Sequence, residues 1–279
     1  MKHFEMTETI PFLAAALAVL WLPACEKHPE GAAPGAGGSG GAAPAAGGGE
    51  AAAPETAKSD APAPAGTATV KGKVVLKGTP PEMPELDMGA KPECADQHTD
   101  PVKAEAVVVG PQGELANVFV HVSKGVAWKY PTPTQPVSLD QKKCVYTPHL
   151  IGIQTGQDIQ ITNSDPALHN VHIIQSPALN DTNKAQPQGS TPIKLKFRRQ
   201  HLGVSVKCDV HPWMQAFACV VDHPFFGVTG ADGLFAFPEK LPAGTYTVTA
   251  WHEHLGAAEQ EITVADGETK ELSFEIAAK

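Results

Sequence analysis

From Thr69 onward the chain reads as one short β-strand after another. TVKGKVVLKG, ANVFVHV, DIQITN, IKLKF, GVSVKC, QAFACVV, TYTVTAW and QEITV are short runs rich in β-branched residues, with Gly, Pro, Asn and Asp between them. Branched and aromatic side chains fit a pleated, half-buried surface, and frequent turn residues stop each run after one crossing of a sheet. No window keeps apolar residues at helical spacing for three turns. The fold class is therefore all-β, and a regular series of short strands predicts a sandwich or barrel. Alternation sets the faces: Ile193, Leu195 and Phe197 share one, as do Phe217, Cys219 and Val221.

Ahead of these runs the chain changes character. Lys2 and His3 precede IPFLAAALAVLWL, Ile10 to Leu22, a stretch of 13 apolar-rich residues too short to span a bilayer comfortably. Residues 1–24 read as an export signal, with Glu5 and Glu8 unusual in such a place. Its end, LPAC, resembles a bacterial lipobox, which implies that Cys25 is lipidated and becomes the first mature residue. That places the protein in the cell envelope, on the periplasmic side. Glu26 is not the aspartate that retains lipoproteins at the inner membrane, so a lipid anchor at the outer membrane is expected. An ordinary cleaved signal and a single-pass anchor are the alternatives. Residues 25–66 form a linker whose Gly31–Gly66 part lacks aromatic and large aliphatic residues and cannot offset the entropy of ordering. A disordered tether of this kind reaches roughly 30–36 Å.

The formal net charge is -9 with no long block of one sign, which argues against a nucleic-acid partner. Apart from Cys25 there are four cysteines, Cys94, Cys144, Cys208 and Cys219. An oxidising envelope permits disulfides among them, and spacing alone leaves three full pairings open.

The richest stretch is KCDVHPWM, Lys207 to Met214, which puts Cys208, His211 and Met214 on one short loop. A thiolate, imidazoles and a weak thioether suit copper, because a held compromise geometry lets the ion change oxidation state with little rearrangement. The second imidazole must come from elsewhere, and NSDPALHNVH, directly after DIQITN, offers His169. Haem attachment would need Cys-x-x-Cys-His and a zinc knuckle further paired ligands. The bland alternative is an inert buried thiol with His and Met nearby.

With these residues in view, the segment from about Val137 to Asp222 resembles a cupredoxin, most of all the amicyanin and plastocyanin branch. His169-Asn170-Val171 matches that family's first ligand loop, and Cys208, His211 and Met214 match the second. The resemblance implies a Greek-key β-sandwich holding one mononuclear type 1 copper ion on His169, Cys208, His211 and Met214. It also implies that Asn170 joins the two ligand loops. His211 is expected to show an imidazole edge at the surface, ringed by Pro166, Leu168, Pro212 and Trp213 as a docking surface. Trp213 reads equally well as packing. His172 is expected to point away from His169, and Cys219 to be a buried thiol that does not pair with Cys208.

At the C-terminal end, TGADGLFAF followed by LPAGTYTVTAW resembles the carboxypeptidase regulatory-like, or transthyretin-like, β-sandwich. That family's opening strands appear far upstream, as KGKVVLKG and LANVFVHV. The expectation is a discontinuous sandwich of residues 67–135 plus 223–279, with a cupredoxin domain of residues 136–222 inserted in it. Two consecutive domains are the alternative. His252 and His254 would share a face if Trp251-His252-Glu253-His254 were a strand, opening a second metal or proton-linked site; exposed histidines at a strand end are the plainer reading. Cys94 and Cys144 are expected to form a disulfide, with a zinc site involving their neighbouring histidines as the alternative.

No catalytic constellation is present in these motifs, so the expectation is not an enzyme but a copper protein passing single electrons to or from a redox partner, a cytochrome or dehydrogenase. The alternative is a copper-binding surface or sensing module whose sandwich binds polymer or protein.

Overall fold

The structure is a computed structural model in which residues 58–173 and 181–279 are described. The expected signal segment, Cys25 and the linker as far as residue 57 lie outside the described residues. The last part of the expected tether is docked rather than free. Ser59 N–H donates to the Ala127 carbonyl at 2.8 Å, Lys58 pairs with Asp222, and Lys129 pairs with Asp60 at 2.5 Å.

The strands are β1 (Thr69–Lys77), β2 (Phe119–Lys124), β3 (Val137–Lys142), β4 (Val145–Thr147), β5 (Leu150–Gln154), β6 (Asp158–Asn163), β7 (His169–Ile173) and β8 (Thr182–Gln186). They continue with β9 (Ile193–Lys196), β10 (His201–Lys207), β11 (Gln215–Val221), β12 (Phe226–Val228), β13 (Leu234–Ala236), β14 (Gly244–His252), β15 (Gly256–Val264) and β16 (Thr269–Ala277). One helical turn, α1 (Pro92–Ala95), interrupts the series.

They form four sheets. β13-β1-β16 and β12-β2-β14-β15 enclose one core, in which Val70, Val74, Val120, Val248, Ile262 and Phe274 are buried. β1 runs parallel to β16 in unbroken register from Thr69↔Thr269 to Lys77↔Ala277. The two ends of the described chain thus build one sandwich between them. Between these ends in sequence, β5-β11-β10-β7-β8 and β4-β3-β6-β9 enclose a second core around Leu139, Ile153, Ile161, Phe197 and Val206. Residues 86–102 depart from the expected boundary at residue 135. Leu86, Met88, Cys94 and Val102 pack on the second core, although the strands on either side, β1 and β2, belong to the first sandwich.

β11 is buried on both faces. Ala216, Ala218 and Val220 join the second core, while Cys219 and Val221 meet Phe119 and Leu150 in a third cluster between the sandwiches, with Phe217 packed against it. Two glycines make this contact possible. A Cβ on Gly203, whose φ is 73°, would lie 2.7 Å from the Trp251 ring, and one on Gly152 would meet Phe226 and Phe119 at 2.6 and 2.7 Å. Missing side chains in one sheet are therefore filled by aromatic rings from the other sandwich, so the two bodies interlock.

His149 and Glu253 add a buried polar tie across the same junction, with His149 Nε2 donating to Glu253 at 2.9 Å. Burial alone would depress His149, but the hydrogen bond and charge of Glu253, with Glu105 behind it, raise its pKa above 6.5. Its contribution to stability is therefore complete below pH 6.5 and is lost as pH rises through the raised folded value. Glu253→Ala leaves a buried imidazole without its partner and should cost about 3 kcal/mol in urea unfolding at pH 6. Glu253→Gln should remove the alkaline loss that His149 imposes; an unchanged pH profile would show that the pair is inert.

Candidate metal centre

The first ligand loop is shaped by its own side chains. β6 ends at Asn163, whose Nδ2 donates to the Ala167 and Gln186 carbonyls at 2.9 and 2.7 Å and whose Oδ1 accepts Asp165 N–H at 2.9 Å. The resulting turn directs Asp165 inward, fully buried. Its carboxylate accepts the backbone N–H groups of Lys143 and Cys144 at 2.5 and 2.7 Å, and the ring N–H at His169 Nε2 at 2.9 Å. Lys143 and Cys144 stand at φ 55° and 54°, a left-handed region few non-glycine residues occupy. One carboxylate thus holds a strained turn and orients an imidazole. Because a carboxylate only accepts, Nε2 of His169 carries the hydrogen and Nδ1 is left facing inward.

The second loop is closed on itself. Met214 N–H donates to the His211 carbonyl at 2.9 Å and Cys208 N–H to the Met214 carbonyl at 3.3 Å. Asn170 binds the loops together: its Oδ1 accepts Asp209 N–H at 2.6 Å, and its Nδ2 donates to Asn183 and Asp209 at 2.8 and 3.1 Å. Tyr146 donates to the Asn170 carbonyl at 2.7 Å from the core beneath.

These constraints bring three donors to one point. Nδ1 of His169 and Nδ1 of His211 are 2.9 Å apart, and Cys208 Sγ lies 4.0 and 3.8 Å from them. Three such donors around one ion, at roughly 2.0–2.1 Å for nitrogen and 2.3 Å for sulfur, would stand about 3.5 Å (N to N) and about 3.8 Å (N to S) apart. The residues present fit a metal with a small outward shift of the rings. Met214 is buried in the same core as Cys208.

The charges are tuned as a unit. Burial opposes protonation of His169, but Asp165 and the Cys208 thiolate outweigh it and raise the imidazole to about 9. Burial and then the charge on His169 hold His211 down at about 4. Burial would raise the Cys208 thiol, but hydrogen bonds from His169 and from the backbone of Asn170 and its own loop bring it below its usual 9.0. A single positive charge in this pocket thus favours a thiolate, and a metal cation there serves the same end.

The expected surface edge of His211 is overturned. His211 shows no edge to solvent: it is 0% exposed, although Pro166, Leu168 and Pro212 around it are exposed. Residues 86–102 cover it. Cys94 is joined to Cys144 by a disulfide, and both sulfurs lie within 4.8 Å of a His211 ring nitrogen. Trp213, half-buried, packs ring against ring at 5.2 Å from His211 and donates its Nε1–H to the Cys144 carbonyl at 3.0 Å. It is therefore a packing residue rather than a rim.

Cys208 and Cys219 are both free, and they belong to different clusters, one in the second core and one between the sandwiches. His172 pairs with Asp209 at 2.7 Å. His252 and His254 do not share a strand face, because β14 ends at His252 and a turn follows, whose His254 and Leu255 N–H groups the His252 Nδ1 accepts at 3.1 and 3.4 Å. Sequence reasoning does not find Asp165 or the cover over His211. The cysteine pair is the one signal in the sequence that points toward either.

A thiol and two imidazoles brought together in a β-sandwich, with the Met214 thioether buried in the same core, suit a mononuclear site for a soft or borderline metal. No protein-family model and no curated protein sequence matches the chain. Solved structures do show similarity. A copper-containing nitrite reductase from Thermus scotoductus SA-01 aligns with 37% of this chain and 25% of its own at 17% identity and a TM-score of 0.29. A variant of amicyanin in its oxidised state aligns over 30% of this chain and 81% of its own, with 21% identity and a TM-score of 0.27. A purple cupredoxin from Nitrosopumilus maritimus aligns over 30% of this chain and 98% of its own, with 19% identity and a TM-score of 0.26.

Proposed function

We propose that the chain is a type 1 copper electron carrier of the cell envelope. The observation that carries this is the convergence of His169 Nδ1, His211 Nδ1 and Cys208 Sγ within 4.0 Å of one another in a fully buried pocket. His169, His211 and Cys208 would hold the ion, with Met214 as the weak fourth donor. Copper bound there supplies reversible one-electron exchange. The chain's own part is rigidity. Asp165 fixes the His169 ring, Asn170 ties the Cys208 loop to the His169 strand, and the covering residues exclude water. Donors held this way reorganise little when charge changes. The tether through Cys25 and the exposed apolar residues Pro166, Leu168 and Pro212 suit brief docking with an envelope redox protein, a cytochrome or dehydrogenase.

Visible and EPR spectra of the copper-loaded, oxidised protein test the reading. An intense thiolate-to-copper band is expected, lost in Cys208→Ser and kept in Met214→Leu with a raised potential. Survival of the band without Cys208 would refute the assignment. The covered His211 edge favours a second reading, a module that holds or senses copper without carrying electrons; a colourless or slowly cycling protein would select it.

A further inference from the structure

We propose that residues 86–102 form a lid, latched by the Cys94–Cys144 disulfide, whose redox state governs passage of the metal into and out of the site. This rests on the copper reading above. His169 and His211 are each 0% exposed, Met214 1% and Cys208 2%, so the closed protein offers an ion no aperture. What closes it is a segment remote in sequence from every one of these donors.

The lid has a neck and a tip. At the neck, Leu86 N–H donates to the Val102 carbonyl at 2.7 Å and Ala104 N–H to the Pro84 carbonyl at 2.9 Å. At the tip, the single turn α1 carries Cys94. Noncovalent ties at the tip are few: His98 Nε2 meets the Lys143 carbonyl at 2.8 Å, Met88 and Cys94 are buried, and Ala95 packs partly buried on the second core, as Leu86 and Val102 do at the neck. The disulfide is the tip's one covalent tie to the rest of the fold, and short segments with few buried apolar contacts open locally at small free-energy cost.

The latch is wired to the donors. Cys144 gives its N–H to Asp165, which also orients His169, and its carbonyl to Trp213, which packs on His211. Both latch sulfurs sit within 4.8 Å of a His211 ring nitrogen, on which the flanking Lys91 and Glu93 charges also act. Opening the tip therefore uncovers His211 first. In the dithiol form the ion enters, and oxidation then seals it. With oxidised glutathione as oxidant, each latch thiol loses its hydrogen, one sulfur–sulfur bond forms in the protein, one breaks in glutathione, and two reduced glutathione molecules leave.

The experiment compares folded protein with the latch oxidised, reduced with dithiothreitol and freed of it under argon, and removed in the Cys94→Ser/Cys144→Ser double variant. Extraction of copper(I) by bicinchoninate should be roughly tenfold or more faster in the two open forms, and reoxidation with glutathione disulfide should restore the slow rate. In the metal-free protein, carbethoxylation of His211 by diethyl pyrocarbonate, mapped by mass spectrometry, should rise in parallel. Equal rates and equal labelling in all forms would overturn the lid. So would loss of the cooperative fold on reduction, since the disulfide would then be a staple of the whole sandwich. A site that binds no copper while His211 labelling still follows the latch would count against the copper reading and leave the lid standing.

Discussion

Asp165→Ala should lower folding stability by on the order of 3–5 kcal/mol and weaken copper binding by roughly 10–100-fold. The residue is fully buried and its carboxylate has three protein donors: two backbone N–H groups in the left-handed turn Lys143–Cys144, and the His169 ring. Removing it strands the buried Cys144 amide and the part-buried Lys143 amide at a strained turn and frees the imidazole to rotate. Burial would raise its carboxyl, yet the hydrogen bonds from His169, Cys144 and Lys143 bring it below the usual 3.8, so the ionised form is the one the site is built around. Asp165→Asn separates the two roles. It keeps the volume, but its amide cannot accept from all three donors in the same way, so part of the stability should return while the copper affinity stays low. Urea unfolding of the metal-free protein and competition with a copper(I) chelator read the two effects apart. Full copper affinity in Asp165→Asn would show that the carboxylate is structural only.

Much of the scaffold is legible in the sequence because alternation and turn residues are local signals. DIQITN and QAFACVV are β6 and β11 to the residue, and TVKGKVVLKG is β1 with one residue added. The three converging side chains are legible too, since Cys208 and His211 share one short, ligand-rich loop and His169 lies at the end of the loop that follows DIQITN. What stays hidden is long-range. β16 escapes notice although Leu272, Phe274 and Ile276 alternate on its buried face, because Glu271, Ser273 and Glu275 between them give the run the look of a polar tail. Asp165 sits in NSDP, where an aspartate reads as turn chemistry, and only the fold shows its carboxylate turned inward. The lid carries no periodicity at all. Its cysteine is conspicuous, but nothing local says that the far side of the disulfide lies against His211. The expected exposure of that ring fails for this reason.

Acid should lower the protein's stability from about pH 6.5 downward, before most carboxylates are protonated. His121, His223 and His252 are buried in the first sandwich and at its junction, and burial is the main cause of the low pKa in each. His121 and His252 are lowered to about 4, and His223 is lowered as well, with the neighbouring His121 opposing a second charge. His121 stacks on Phe119 at 5.1 Å, and neither of its ring nitrogens meets a hydrogen-bond partner among the described residues. His223 is held neutral by geometry: its Nε2 donates to the Val122 carbonyl at 2.8 Å while its Nδ1 accepts the Phe225 N–H at 3.2 Å. Between pH 6.5 and about 4 the unfolded chain binds these protons and the folded chain does not. Stability therefore falls with pH across that window, by on the order of 3 kcal/mol each for His121 and His252 once pH reaches the folded values. His149 does not offset the loss, because its raised pKa leaves its contribution unchanged throughout the acid range. Denaturant midpoints measured from pH 7 to pH 4.5 should decline steadily, and His121→Phe, which keeps an aromatic ring against Phe119, should flatten part of the slope. A midpoint that holds level across that range would mean these rings find water or a partner when charged.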